Sequence, residues 1–341
     1  TYHFNDRFAG LLVTPGLFGS RVGAELSSRA AGDVVRATLT LNLSNPIPPH
    51  GFLHIRFPAV FANISQANAS WSSESFGFDA TSFGALSFVD ARSSETTLVL
   101  RRAGADSGAT DIGDRSGTGV IIVVIDNVMN PRFSGRTGIF QLVRTMDANG
   151  TTIDEASSAW SREMRPHGFL IDPGDFTAGP VMSLSTIDAG ATGNVTLTAT
   201  LKNPLPSDGL IVIHFPHSFK SVTQPVSSIE LFARESSQGI FEPAHEMSAE
   251  VRGLNVTLTS NGARRAISAG GAIRLTLPGA MNMRHVGSTG VWPLIRTALS
   301  NGTAIDEASI EFNAGLRAPA VAIGPGRFAR APSIAPLDPR A

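Results

Sequence analysis

Apolar and polar residues alternate along much of this chain. Val35, Ala37, Leu39 and Leu41 fall on one side of an extended segment, with Arg36, Thr38, Thr40 and Asn42 on the other. Val195, Leu197, Ala199 and Leu201 stand in the same way against Thr196, Thr198, Thr200 and Lys202. A period of two marks a half-buried β-strand. Segments 53–57 and 210–215 follow Pro-rich turns and end at Pro58 and Pro216, which cannot continue a sheet ladder. Segment 120–125 is apolar on both faces and β-branched, which predicts a central, covered strand. Segments 139–144 and 151–156 flank Asn149-Gly150, the composition of a hairpin turn, and 294–296 and 303–308 flank Asn301-Gly302 in the same way. No amphipathic helix longer than two turns is found. Many short strands with turn signals between them predict an all-β protein built of immunoglobulin-like sandwiches.

The strands belong to a duplication. Leu43-Ser44-Asn45-Pro46-Ile47-Pro48, Ile55-Arg56-Phe57-Pro58 and Phe61 return 158 residues later as Leu201-Lys202-Asn203-Pro204-Leu205-Pro206, Ile213-His214-Phe215-Pro216 and Phe219. Met129-Asn130, Thr137-Gly138, Arg144-Thr145, Asn149-Gly150 and Ile153-Asp154-Glu155-Ala156-Ser157 return 152 residues later. About six residues are therefore missing from the middle of the second body. Stretches 62–118 and 220–266 exceed what the ~100 residues of an immunoglobulin domain need, and are read as extra strands or long loops.

A shorter element occurs three times. Gly10-Leu11-Leu12-Val13-Thr14-Pro15-Gly16-Leu17-Phe18 returns as Gly168-Phe169-Leu170-Ile171-Asp172-Pro173-Gly174-Asp175-Phe176, and again as Ala320-Val321-Ala322-Ile323-Gly324-Pro325-Gly326-Arg327-Phe328. An aromatic precedes each copy at one offset: Tyr2, Trp160 and Phe312. The division expected is a joining element at 1–18, a first sandwich at 19–159, a second joining element at 160–176, a second sandwich at 177–311, and a third element with a Pro-rich tail at 312–341. Two bodies thus carry three joining elements, one of them surplus.

Composition narrows the chemistry. The 341 residues include no Cys, which excludes disulfides, thiol nucleophiles and thiolate metal sites. A formal net charge of −1 argues against nucleic acid or an anionic membrane as partner. Positive charge is 25 Arg against Lys202 and Lys220, a skew read as genomic. No apolar run approaches the ~18 residues of a membrane span. A chain opening at Thr1 is read as processed or truncated. Seven Asn-X-Ser/Thr sequons, at Asn42, Asn63, Asn68, Asn149, Asn194, Asn255 and Asn301, point to an extracellular, N-glycosylated protein. Asn149 and Asn301 are duplicates at the predicted hairpin tips, while Asn42 and Asn194 lie in strands and must face outward to be modified.

Catalytic candidates are few, and no enzyme is expected. Asp154-Glu155 and Asp306-Glu307 are paired carboxylates, but duplication with the whole body favours solvated strand-edge charges. Asp106, Asp111 and Asp114 in a Gly-rich loop lack EF-hand spacing and are read as a polar loop. His245-Glu246 opens like a zinc-protease helix, but Ala249 stands where the second His belongs. His54 and His214 are read as outward strand residues. No nucleophile elbow, P-loop or dinucleotide fingerprint appears, and no cofactor or metal is expected. Trp71, Trp160 and Trp292 are the aromatics open to a glycan-binding role; Trp160 and Trp292 fall at matched aromatic positions (Trp292 aligns with Phe140), which favours core packing, and Trp71 sits among Ser residues and sequons.

The surplus element suggests how copies associate. A terminal apolar strand without its own body leaves backbone and side chains unpartnered, and pairing with a neighbouring molecule relieves both. Such head-to-tail strand addition generates filaments. The expectation is a glycosylated extracellular homopolymer joined through Phe4, Phe8, Leu11, Leu12, Val13, Val321, Ile323 and Phe328. If the element opens the body after it, the C-terminal copy is surplus; if it closes the body before it, the N-terminal copy is. The better-preserved, more apolar N-terminal copy is favoured as donor.

The pattern Asn-Pro-x-Pro, apolar strand, Phe-Pro, present in both bodies, resembles tandem immunoglobulin-like repeats of surface and fibre proteins of unicellular algae and other protists. The resemblance implies an extracellular structural role and carries no catalytic residues. Strand donation is similar to that of pilus subunits in logic alone. The competing expectation is a piece of a longer tandem-repeat surface adhesin or carbohydrate-binding protein.

Overall fold

A computed structural model describes residues 13–48, 50–61, 64, 68–73, 96–102, 119–235, 239–263 and 265–326, with backbone alone at 68–73, 119 and 262–263. The strands are β1 (Gly23–Leu26), β2 (Val34–Leu43), β3 (Phe52–Arg56), β4 (Asn68–Ser73), β5 (Thr97–Arg101), β6 (Gly119–Met129), β7 (Gly135–Arg136), β8 (Leu142–Met146), β9 (Thr152–Ser157), β10 (Leu170–Ile171) and β11 (Phe176–Leu184). They continue as β12 (Thr192–Leu201), β13 (Leu210–His214), β14 (Ser221–Val222), β15 (Ile229–Arg234), β16 (Glu242–Arg252), β17 (Asn255–Ala263), β18 (Ala272–Met281), β19 (Gly287–Ser288), β20 (Leu294–Ala298), β21 (Ala304–Ser309) and β22 (Ala322–Ile323). Among the described residues helix is confined to single 3-10 turns at Arg162–Met164 and Ala314–Leu316. The protein is all-β, as its alternation predicts.

Contacts divide the chain into two compact units. The first runs to Arg29 and takes in Asp33–Pro131 and Arg136–Leu170. The second takes in Ala30–Gly32, Arg132–Gly135 and everything from Ile171 on. In the first unit the sheet orders are β1-β2-β6-β4 and β5-β3-β8-β9. β6 is central as expected, between β2 and β4, with Ile121, Val123 and Ile125 buried on one face and the other face half-covered. Val35, Ala37, Leu39 and Leu41 of β2 point inward, as do Leu53 and Ile55 of β3 and Val143 of β8. These positions alternate with exposed or half-buried polar residues because successive side chains leave opposite faces of a strand.

The second unit repeats the plan with β11-β12-β18-β15 and β17-β13-β20-β21. Strand β16 pairs with both β15 and β17 and so joins the two into one continuous sheet. Strands β14 to β17 are the extra structure expected between 220 and 266. A single core draws Leu197, Ala199 and Leu201 of β12, Ile211 and Ile213 of β13, Leu275 and Leu277 of β18, and Ile295 of β20. Segment 62–118 of the first unit falls largely outside the described residues.

The hairpins form in register, with Val143 opposite Ala156 and Ile295 opposite Ala308. At the first tip the Asp147 N–H donates to Thr151 O and the Gly150 N–H to Asp147 O; Gly150 sits at φ +84°, the left-handed region that Gly adopts without a Cβ penalty. The second tip repeats this with Leu299, Thr303 and Gly302 at φ +86°.

Candidate functional site

The joining element is built to serve two bodies, one with each half. In its second copy the front half closes the first unit. The Phe169 N–H donates to Thr137 Oγ1 at 2.9 Å, and the Thr137 N–H donates back to Phe169 O at 3.0 Å. The Phe169 ring then meets Phe61 and Phe140 edge-on, at 5.9 and 5.7 Å between centroids, within a cluster completed by Phe57. The third copy makes the same pair of bonds in the second unit, the Val321 N–H donating to Thr289 Oγ1 at 2.9 Å and Val321 O accepting from the Thr289 N–H at 2.9 Å. The matching aromatic cluster of that unit is Phe215, Phe219 and Trp292. The next residues, Ala322–Ile323, pair antiparallel with Gly287–Ser288.

The rear half opens the body that follows. Gly16 forms a parallel bridge with Asp154 of β9: its N–H donates to Ile153 O at 2.7 Å and its carbonyl accepts from the Glu155 N–H at 3.1 Å. Gly174 does this on β21, with 2.8 Å bonds to Ile305 O and from the Glu307 N–H. The first unit therefore holds the rear half of copy one and the front half of copy two. The second unit holds the rear half of copy two and the front half of copy three.

Beneath each glycine lies a buried carboxylate. Asp306 accepts from the Asn203 N–H (3.1 Å), Asn203 Nδ2 (2.8 Å) and the Lys202 N–H (3.0 Å), while its own N–H donates to Thr297 Oγ1. Asp154 accepts from the Asn45 N–H and Nδ2 at 3.1 and 2.7 Å, and its N–H donates to Thr145 Oγ1. The neighbouring Glu155 and Glu307 receive Arg144 and Arg296 Nε at 2.8 and 2.7 Å. The solvated strand-edge reading of these four acids is thus corrected. They do lie on the last strand of each sheet, but the joining element covers that edge, and all four are buried. Burial pushes the Asp306 carboxyl up to about 6 against the opposing pull of the Asn203 and Lys202 donors, and raises Asp154 in the same direction.

Glycine is required at the bridge by space. A Cβ on Gly174 would stand 2.5 Å from Asn203 Nδ2 and 2.7 Å from Asp306 Oδ1, and one on Gly16 would collide with Asp154 Oδ1 and Asn45 Nδ2. In the second unit Asn203 Nδ2 also donates to Ala31 O at 3.1 Å. Each carboxylate sits under backbone and, among the described residues, accepts its hydrogen bonds from N–H donors. That arrangement fixes a chain in place.

The predicted interface residues divide. Ile323 is buried, at 2% exposure, within its own unit, as is Ile171 at the same repeat position, whereas Val13 is 82% exposed. Val321 is half-buried. Phe4, Phe8, Leu11, Leu12 and Phe328 lie outside the described residues, as do Asn63, Trp71 as a side chain, and Asp106, Asp111 and Asp114. Of the sequons, Asn149, Asn194, Asn255 and Asn301 are exposed, whereas Asn42 is half-buried with Gly19 against its side chain. Trp292 is a core residue, as its alignment with Phe140 implies, and Trp160 is half-buried, its carbonyl accepting from the Ser157 N–H as Phe312 does from Ser309. His54 and His214 are half-buried rather than free in solvent; burial and the neighbouring Arg144 or Arg296 lower their pKa. His245 is buried with Nδ1 3.2 Å from Ser260 Oγ. Among the described residues no three His, Asp or Glu gather as a metal site would require. The residues that sequence reasoning did not single out are Asn45, Asn203, Thr137, Thr289, Thr145 and Thr297, all of which recur in register.

No protein-family model and no curated protein sequence matches the chain. Among solved structures it is similar to the N-terminal domain of the Streptococcus gordonii adhesin Sgo0707, at 12% identity and a TM-score of 0.27, over 86% of this chain and 60% of that one. It is also similar to a partial N-terminal region of enterococcal surface protein (9%, TM-score 0.26, over 96% and 98%) and to the collagen binding domain of the Erysipelothrix rhusiopathiae surface protein RspB (10%, TM-score 0.25, over 89% and 94%). The chain thus spans 60% of the Sgo0707 domain's length. At these identities and TM-scores the likenesses lend no weight to a functional reading.

Proposed function

We propose that the protein is an extracellular, N-glycosylated structural module of a cell-surface tandem array, in which successive bodies are joined end to end by shared linkers and hold a surface layer or an adhesive tip away from the cell. The observation that carries this reading is the division of the second linker: Phe169 completes the body before it and Gly174 completes the body after it. A linker divided in this way lets bodies be concatenated without leaving any of them short of a strand. Three linker copies for two bodies is then the count that an array gives, with no strand needed from another molecule. The exposed sequons at the hairpin tips, one per body, suit a surface that faces water on the outside of a cell.

Immunogold labelling of intact, unpermeabilised source cells tests the location directly. Surface label that external protease removes is the result expected; label found only after permeabilisation would refute it.

Head-to-tail homopolymerisation is the second reading, and one observation favours it: Val13 is exposed at the repeat position where Ile171 and Ile323 are buried. It ranks below the array because the receiving positions at Thr137 and Thr289 are filled from within the chain. A donated strand would have to displace a resident one.

A further inference from the structure

We infer that the glycine bridge is a tension-bearing lock, a mechanical function that rests on, and sharpens, the surface-array reading. The entering linker runs parallel to the strand that ends the sheet order of each body, meeting β9 at Gly16 with Asp154 and β21 at Gly174 with Asp306. When the segment that enters a body lies parallel to a strand near the body's C-terminal end, pulling the chain ends apart slides the two lengthwise past one another. The bonds between them are then loaded together in shear. An antiparallel pair would place both pulled ends on one side and open bond by bond. In the second unit the leaving linker makes a parallel bridge of its own, to the turn that follows β11. Gly324 bridges Asp188 in parallel, its N–H donating to Ile187 O at 2.8 Å and its carbonyl accepting from the Ala189 N–H at 3.1 Å.

Sterics add a stop to these bonds. The slot above Asp306 admits a glycine and has no room for a Cβ, given Asn203 Nδ2 at 2.5 Å and Asp306 Oδ1 at 2.7 Å from where one would stand. Drawing the linker backwards by one residue brings Asp175 into that slot, and Leu17 into the equivalent slot above Asp154. Neither fits until the carboxylate beneath moves. The carboxylate is held in turn by Asn203 and Lys202, or by Asn45. Slip therefore requires the bridge, the carboxylate anchor and local packing to fail together. The absence of Cys in the whole chain makes this lock independent of redox conditions and leaves introduced thiols as unique handles.

Single-molecule force spectroscopy on the full chain, tethered at its two ends, tests the lock. Two rupture events are expected, each releasing about 150 residues (Gly174 to Gly324 in the second unit) and hence on the order of 500 Å of contour length. The same chain carrying Asn194→Cys and Asn301→Cys is then pulled through those exposed positions, a path that bypasses Gly174. The second unit should rupture at less than half the end-to-end force. Asp306→Ala, which removes the carboxylate anchor, should lower one end-to-end peak about twofold and leave the other unchanged; Asp154→Ala should lower the other peak. An end-to-end force no higher than the bypass force overturns the lock, and that comparison stands on the unaltered linker even if an alanine variant fails to fold. Because it uses purified protein, its failure is distinct from a failure of surface labelling.

Discussion

Phe169→Ala separates a shared linker from an ordinary interdomain spacer. By chain position Phe169 lies in the joining element, yet its ring is buried against Phe61 and Phe140 of the first unit. Truncating a buried Phe to Ala costs about 3–5 kcal/mol through lost burial and the cavity left behind. Two edge-on ring pairs are lost with it, each worth about 0.5–1.5 kcal/mol beyond area, and these place the loss in the upper part of that range. With a urea dependence of about 2 kcal/mol per molar, the first unit's midpoint should fall by about 2 M. The matching change in the second unit, Val321→Ala, removes a smaller, half-buried side chain and should cost about 1 kcal/mol. Hydrogen exchange read by mass spectrometry in increasing urea follows the two units separately. The result expected is loss of protection in β3, β8 and β9 with β12, β13 and β18 unchanged. If protection falls in the second unit, or falls by less than about 1 kcal/mol anywhere, the assignment of the front half to the preceding body is wrong.

Gly174→Ala should destabilise the second unit by about 1–3 kcal/mol through overpacking against Asp306 and Asn203, and Gly16→Ala should do the same to the first; each is read from the corresponding unfolding transition. The folded-state pKa of Asp306, pushed up to about 6 by burial, exceeds its unfolded value, so its contribution favours folding at low pH and is lost as pH rises through 6. The second unit should accordingly gain about 2 kcal/mol between pH 7.5 and pH 4.5 in urea titrations, and Asp306→Asn should flatten that dependence. In protein secreted from a glycosylating host, Asn149→Gln and Asn301→Gln should each remove one glycan by peptide mass spectrometry, whereas Asn42→Gln should leave the glycan count unchanged because Asn42 is half-buried against Gly19.

Strands were legible in the sequence because alternation at Val35 to Leu41 and Val195 to Leu201 records a one-sided environment, which is a local property. The duplication was legible because it needs only register. The burial of Asp154 and Asp306 was not. An Asp-Glu pair on a last strand reads as solvated unless the chain that covers it is known, and that cover comes from a glycine about 130 residues away. Its signals were already present among the register matches, in Asn45 with Asn203, Thr145 with Thr297 and Thr137 with Thr289. Polar residues repeated at that fidelity are held by partners, whereas free surface positions drift. The linker was the opposite case. It was recognised at once as an element joining the two bodies, but one-dimensional reasoning left open whether it pairs with one of them or with both. Only the pairing of Phe169 with Thr137 and of Gly174 with Ile305 and Glu307 reveals that it is split.

Sedimentation equilibrium of the chain produced without glycans, from micromolar to the highest soluble concentration, tests whether both bodies are completed from within. A shared linker that fills every receiving position predicts a constant mass of 35.8 kDa at all concentrations. A mass that grows with concentration, and becomes that of the shortened monomer at every concentration when residues 1–13 are removed, would mean that strands pass between molecules and that the linker is not shared.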